Sequence, residues 1–162
     1  MSKIKGLRAL KTALEKIRAR GARVVFTNGC FDIVHAGHVR YLRKARGYGD
    51  CLVVGLNSDA SVRAIKGPTR PIVPQDERAE VLSALECVDY VVIFDEPTPL
   101  ALITAIGPDV LAKGADWAAR DIVGYDAVRK NGGRIRRVAL VKGRSTTNII
   151  KRILELHAAE EG

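Results

Sequence analysis

The chain alternates short, unbroken runs of Val, Ile and Leu with stretches whose apolar residues recur every three or four positions. This alternation limits the possible folds more than any other feature. The runs are RVVFT (23–27), CLVVGL (51–56), YVVIF (90–94), DVLAK (109–113) and RIRRVALV (134–141). The helical stretches are GHVRYLRKARGYG (37–49), DERAEVLSALECV (76–88), PLALITAIG (99–107) and the closing TTNIIKRILELHA (146–158). A strand with one wet face alternates apolar and polar residues, whereas a run that is apolar throughout must be covered on both faces. Such strands, separated by helices, form a parallel sheet with helices on either side. The pattern therefore predicts a single α/β domain, a Rossmann-like doubly wound sheet, mainly parallel, with ligands at the carboxyl ends of its strands.

Ahead of the first run, SKIKGLRALKTALEKIRARG sets Ile4, Leu7, Leu10, Leu14 and Ile17 at helical spacing and stops at Gly21. An Arg-rich amphipathic start resembles a transit peptide, but Glu15 and the direct run into a strand predict a packed surface helix. The expected layout is an N-terminal helix over 1–21 packed on one domain over 22–158.

Composition enters as a set of exclusions. A chain of 162 residues, 47% hydrophobic and 28% charged, is large enough to bury a core and too apolar to stay disordered. No apolar run approaches the roughly 18 residues of a membrane span, and no signal peptide is visible. Cys30, Cys51 and Cys87 are scattered and odd in number, which favours a reducing cytoplasm over a disulfide framework. The net charge of +9 invites a nucleic-acid reading. Against it, the basic residues are dispersed, and four Tyr, three Phe and one Trp are few for a base-stacking surface. An anionic small-molecule substrate accounts for part of the charge, so neither nucleic acid nor membrane is expected as a partner.

Neither G-x-x-x-x-G-K-[ST] nor a G-x-G-x-x-G after the first run is present, so any nucleotide site must be built another way. The first run leads instead into NGCFDIVHAGH (28–38), which holds two of the three histidines. Gly29 leaves bare backbone where a phosphate can approach. His35 and His38 are one helical turn apart at the start of a predicted helix, whose N-terminus suits an anion. Together they make a compact receptor for a polyphosphate. A metal site is the alternative, with Cys30 or Asp32 as third ligand, but the chain lacks a second cluster of ligand spacing. Ser145, Thr146 and Thr147, in GRSTTNII (143–150), are by themselves ordinary helix-capping hydroxyls.

HAGH after a G-x-F-D turn (Gly29, Phe31, Asp32), paired with S-T-T at a late helix start, resembles the signatures of the nucleotidyltransferase superfamily of cytidylyl- and adenylyltransferases. A narrower resemblance covers most of the chain from residue 22. TNGCFDIVHAGHVRYL, VVGLNSDASV, KGPTRPIVPQDERAEVLSALECVDYVVIF, PDVLAKGADW, NGGRI and GRSTTNIIKRI are similar to the bacterial D-glycero-β-D-manno-heptose 1-phosphate adenylyltransferases, which make ADP-heptose for the lipopolysaccharide core. No sugar-kinase segment accompanies them, so the stand-alone form is the one resembled. The related glycerol-3-phosphate cytidylyltransferases carry R-T-E-G-I-S-T where this chain has LVKGRST (140–146), without the leading arginine, which weakens a CTP assignment.

The resemblance implies direct in-line attack of the sugar phosphate on the α-phosphate of ATP. Its substrates are ATP and heptose 1-phosphate, Mg²⁺ accompanies the phosphates, and a homodimer is an assembly open to the chain. It implies catalytic contacts from His35, His38 and Lys66. Nucleotide contacts would come from Asn28, Gly29, Phe31, Asp32, Gly37, Lys113, Gly114, Ser145, Thr146 and Thr147, and substrate contacts from Asp59, Arg78 and Asp116. No protein metal ligand is implied. Lys66 reads as a loop residue and Arg78 as an arginine that organises the site or forms a surface ion pair. Asn28 and Asp59 are also candidates for the heptose hydroxyls, and Trp117 suits packing as well as ligand contact. The competing readings are another sugar- or polyol-phosphate nucleotidyltransferase, and a non-catalytic nucleotide- or RNA-binding module.

Overall fold

A computed structural model describes residues 2–116, 118–139, 141 and 143–160. Five strands, β1 (Val24–Gly29), β2 (Cys51–Asn57), β3 (Tyr90–Phe94), β4 (Val110–Gly114) and β5 (Arg134–Val138), form one sheet in the order β3-β2-β1-β4-β5. Every pairing in it is parallel. The helices are α1 (Leu7–Arg18), α2 (Ala36–Arg46), α3 (Asp59–Lys66), α4 (Gln75–Ala84), α5 (Leu100–Ile106), α6 (Tyr125–Lys130) and α7 (Thr146–Glu160), with one 3-10 turn over Ala119–Asp121. This is the doubly wound α/β sheet that the continuous apolar runs predict.

Strand periodicity divides the core in two. Val24 and Phe26 of β1 and Val53 of β2 face α1, α5 and α6, with Leu10, Leu14, Ile103 and Val128 packed on them. Val25, Leu52, Val54 and Val91 face the opposite side, against Leu42 and Ala45 of α2 and Ala79 and Leu82 of α4. Burial on both faces is why β2 reads as seven consecutive buried residues.

Several boundaries differ from the sequence pattern, each for a local reason. The N-terminal helix starts at Leu7 rather than at the chain start. Ile4 forms a parallel bridge to Val91, and Lys5 N–H donates to the Val91 carbonyl at 2.9 Å, so the preceding residues extend the sheet edge instead. The expected helix over 76–88 ends at Ala84, because Leu85 turns to extended backbone. α3 and α6 interrupt segments that carry no long apolar period; α3 is started by Ser58, whose hydroxyl accepts from Ser61 N–H at 3.2 Å. Lys66 is consequently the last residue of a helix and not part of a loop. β5 ends at Val138, and Leu140, within the run expected to 141, lies outside the described residues, as does Trp117.

β1 and β2 stay paired from Val24–Cys51 to Gly29–Leu56, but the β1–β4 pairing comprises only Val25–Val110 and Phe26–Leu111. Connections leave β1 toward β2 on one side and reach β4 on the other, so the carboxyl ends of β1 and β4 part at this switch point.

Candidate active site

A cavity of about 410 Å³ opens at that parting, in the range of small-ligand pockets. Its walls bring together Asn28, Gly29 and Phe31 from the β1 end, His35, Gly37 and His38 from the turn into α2, and Lys66 from the end of α3. Lys113, Gly114 and Asp116 come from the β4 end, and Ser145 and Thr146 from the start of α7. Residues separated by more than a hundred positions thus share one wall because the parallel topology puts every strand's carboxyl end on the same side.

The histidine turn is built locally. His35, in extended backbone, is the N-cap of α2: its Nδ1 accepts from Gly37 N–H at 3.1 Å. That bond leaves the ring proton on Nε2, a buried donor with no partner among the described residues. The glycine between the histidines is required by packing, since a Cβ there would lie 2.8 Å from the His35 ring and 3.1 Å from Arg144 Cβ. His38 stacks on His35 with ring centroids 3.9 Å apart and takes the edge of Phe31 at 5.2 Å. The Ile33 carbonyl faces the His38 ring, and among the described residues His38 Nδ1 is the second buried side-chain polar atom without a partner.

Burial, and then the neighbouring His35, pushes His38 down to about 4 against the opposing pull of the Ile33 carbonyl. Burial and the Arg144 guanidinium also lower His35. The sequence pattern suggested two imidazole donors. Burial instead keeps both rings neutral at neutral pH, so His35 offers its Nε2–H, and His38 donates from both nitrogens only once it is protonated. Phosphate oxygens arriving there would favour the protonated ring, so anion binding and proton uptake by His38 are coupled.

On the opposite wall Lys113 Nζ donates to Asn28 Oδ1 at 2.5 Å. Burial lowers Lys113 to about 8, while Asp116 and Cys30 act in the other direction. At the start of α7, Ser145 Oγ accepts from Asn148 N–H at 3.1 Å, so Ser145 caps the helix and its own proton remains to donate. Thr146 Oγ1 reaches the Ile33 carbonyl at 3.5 Å, joining the late signature to the histidine turn. A helix of 15 residues here points its N-terminal dipole at the cavity.

Four residues expected in the site do not wall the cavity. Thr147 is exposed beyond it. Asp32, at 3% exposure, accepts from Arg70 Nε at 2.5 Å and from the N–H groups of Ile72 and Val73 at 2.8 and 2.9 Å. Those bonds hold its carboxyl below the usual range although burial acts to raise it. Arg78, at 1% exposure, donates to the carbonyls of Val73, Cys30 and Asn57 and, at 2.7 Å, to Asp59 Oδ1. Asp32, Arg78 and Asp59 thus meet protein groups and brace the turn behind the cavity wall. Between the two braces Phe31 is held at φ 44°, a left-handed conformation costly for a bulky residue.

Apart from Cys30, weighed in the sequence only as a metal ligand, sequence reasoning passed over three wall residues, Arg144, Tyr41 and Val141. Arg144 directly precedes the capping hydroxyls, a position from which its charge reaches the site. Tyr41 is one turn beyond His38 on the same helix face. Cys30 lines the cavity as a thiol that burial keeps protonated. Among the described residues no three His, Cys, Asp or Glu side chains are grouped to hold a metal.

The family profile described as Cytidylyltransferase-like matches residues 26–152. Bifunctional protein HldE of Syntrophotalea carbinolica is 58% identical over 154 residues, 95% of this chain and 31% of that protein. Bifunctional protein HldE of Geobacter metallireducens is 56% identical over 98% of this chain and 32% of its own length. The chain thus spans about a third of the length of these curated relatives. A crystal structure of the lipopolysaccharide core biosynthesis protein from Thermoplasma volcanium is similar at a TM-score of 0.61 and 28% identity, covering 76% of this chain and all of that one.

Proposed function

This chain belongs to the cytidylyltransferase-like family, and on that premise we propose that it transfers the adenylyl group of ATP to D-glycero-β-D-manno-heptose 1-phosphate, giving ADP-heptose and pyrophosphate. The observation that carries the reading is the pair of buried imidazole nitrogens without partners among the described residues, His35 Nε2 and His38 Nδ1, set in a cavity that also holds Lys66, Lys113 and Arg144. A buried polar atom left without a partner costs free energy unless a ligand meets it, and cations around it select an anion. The sugar is drawn from the sequence resemblance, and the similarity to the lipopolysaccharide core biosynthesis protein of Thermoplasma volcanium supports it.

In this reading the sugar phosphate needs no activating base, because its oxygen is already anionic at neutral pH. The oxygen bonds to the α-phosphorus of ATP as the bond from that phosphorus to the bridging oxygen breaks, and pyrophosphate departs with the electron pair. The protein's work is positioning and charge neutralisation. His35 N–H and a protonated His38 meet oxygens on which charge accumulates, while Lys66 and Lys113 hold the α-phosphate and the incoming phosphate. Ser145 and Thr146, with the N-terminus of α7, hold the β- and γ-phosphates. Asp116 is the carboxylate among the described wall residues, which suits Mg²⁺ carried mainly by nucleotide phosphates and water rather than by a protein cage. Bound that way, the ion supplies neutralisation of phosphate charge. The reaction belongs in the cytoplasm in this reading, and a homodimer is compatible with it. No described helix is long and apolar enough to cross a membrane.

The test is pyrophosphate release with each nucleoside triphosphate paired with several sugar and polyol phosphates. ATP with heptose 1-phosphate should turn over fastest. Faster turnover of CTP with glycerol 3-phosphate moves the chain to the cytidylyltransferase branch, and nucleotide binding without any turnover makes it a binding module.

A further inference from the structure

The β1–β4 ladder stops at Phe26–Leu111, and the next rung would join Thr27 to Ala112. That rung is supplied by a side chain from a third element. Tyr41 Oη lies 2.7 Å from Thr27 Oγ1 and 3.2 Å from the Ala112 carbonyl. A carbonyl only accepts, so the phenol proton goes to Ala112 and the Thr27 hydroxyl donates to the phenol oxygen. Each of the three elements so joined carries a cavity residue close by: Asn28 follows Thr27, Lys113 follows Ala112, and His38 precedes Tyr41 by one helical turn.

We propose that Tyr41 is a positioning residue whose hydroxyl sets the width of the split between β1 and β4, and with it the distance from the histidine wall to the Lys113–Asn28 wall. The role rests on the nucleotidyl-transfer reading for its catalytic consequence, but the bridge itself is a property of the fold. The phenol takes no part as an acid or base, since burial holds it protonated up to about 12. Groups on both walls must meet one transferring phosphoryl group together, whereas each substrate in its ground state can settle against one wall. Loosening the split therefore penalises the transition state more than either ground state.

Tyr41→Phe keeps the ring and removes the bridge from the cavity side. Thr27→Val removes it from a fully buried residue outside the cavity wall. Both variants should lose kcat by about tenfold or more while KM for each substrate stays within about threefold. The double variant should be no slower than the slower single one, because all three break the same bridge. Independently of activity, the Lys113 ammonium, followed by NMR of labelled lysine, should titrate near 8 in the parent and climb toward 10.5 in each variant as water enters the split. Should Tyr41→Phe fail to fold, Thr27→Val decides. Unchanged kcat in folded variants, a rise in KM alone, or losses that multiply in the double variant overturns the proposal. If the parent protein transfers no nucleotide, the functional reading fails, and the lysine titration still decides the bridge.

Discussion

Two polar clusters flank Phe31, and they differ in how their buried atoms are met. Behind the cavity wall, Asp32 has both oxygens engaged by Arg70, Ile72 and Val73, and each nitrogen of the Arg78 guanidinium donates to a carbonyl or to Asp59. In front of it, His35 Nε2 and His38 Nδ1 are buried with no partner among the described residues. Burying a polar group costs about 1–3 kcal/mol when it is left unsatisfied, and more for a charge. The charged cluster is therefore closed, and the neutral one is held open by the packing of His35 on Gly37 and His38 on Phe31. Closure marks residues that hold the fold, and in the proposed function the open pair is where a ligand completes it.

Removing a member of the closed cluster should give the largest effect, and it should fall on stability. Arg78→Ala strands one buried and two part-buried carbonyls and leaves Asp59 without its cation, for a loss of about 3–5 kcal/mol in denaturant unfolding. Arg78→Lys should recover only part of this, because an ammonium lacks the planar fork that reaches all four partners. A loss below about 1 kcal/mol would erase the distinction between the two clusters.

Next in size, and falling on catalysis instead, is His38→Ala. Loss of such a donor should lower kcat by about 10²–10³-fold, or about 3–4 kcal/mol, with a much smaller rise in KM for ATP. Asparagine at this position retains a donor and should recover a fraction. The folded-state value of His38 is depressed from 6.5 to about 4, so between those limits the unfolded chain binds the extra proton. The contribution of a neutral His38 is complete above pH 6.5 and is lost as pH falls toward 4, a slope that His38→Ala should flatten. Tripolyphosphate should raise the titration point of the His38 ring, as read by NMR. A folded His38→Ala with normal kcat and weakened ATP affinity would make the pair a binding clamp.

The smallest effect belongs to Cys30, which touches both clusters and serves neither through its sulfur. Its carbonyl accepts from Arg78, and burial keeps its thiol protonated. Cys30→Ala should leave turnover within about tenfold, under about 1.4 kcal/mol. An inactive variant, or stoichiometric zinc in the purified protein, would restore the metal reading of the histidine turn.

The sheet, its strands and most of the helices were legible because doubly covered strands leave continuous Val, Ile and Leu runs and surface helices leave a three-to-four period. α3 and α6 were not, since each sets only a few apolar residues in a polar stretch, whereas the seven-residue α5 is apolar at every position but Thr104. The histidine turn and the capping hydroxyls were legible as two local patterns. Arg144 and Tyr41 were not, because a basic residue beside a cap and a tyrosine on a helix look the same in sequence whether they face solvent or a cavity.

Whatever depends on neighbours within a few positions was determined by the chain itself: the strand runs, the His35 cap over Gly37, the Ser145 cap of α7. Whatever depends on which distant groups meet was decided only on folding. Asp32, Asp59 and Arg78 carry charges that the sequence presents as free to bind a ligand, and packing spends those charges on Arg70, on backbone amides and carbonyls, and on each other. Thr27, Tyr41 and Ala112 become a rung because β1 and β4 part where α2 crosses them. The physical reason is one of range. Backbone propensity and capping act over a turn of chain, whereas burial and hydrogen-bond satisfaction act on every group that shares an interior, however far apart in the chain.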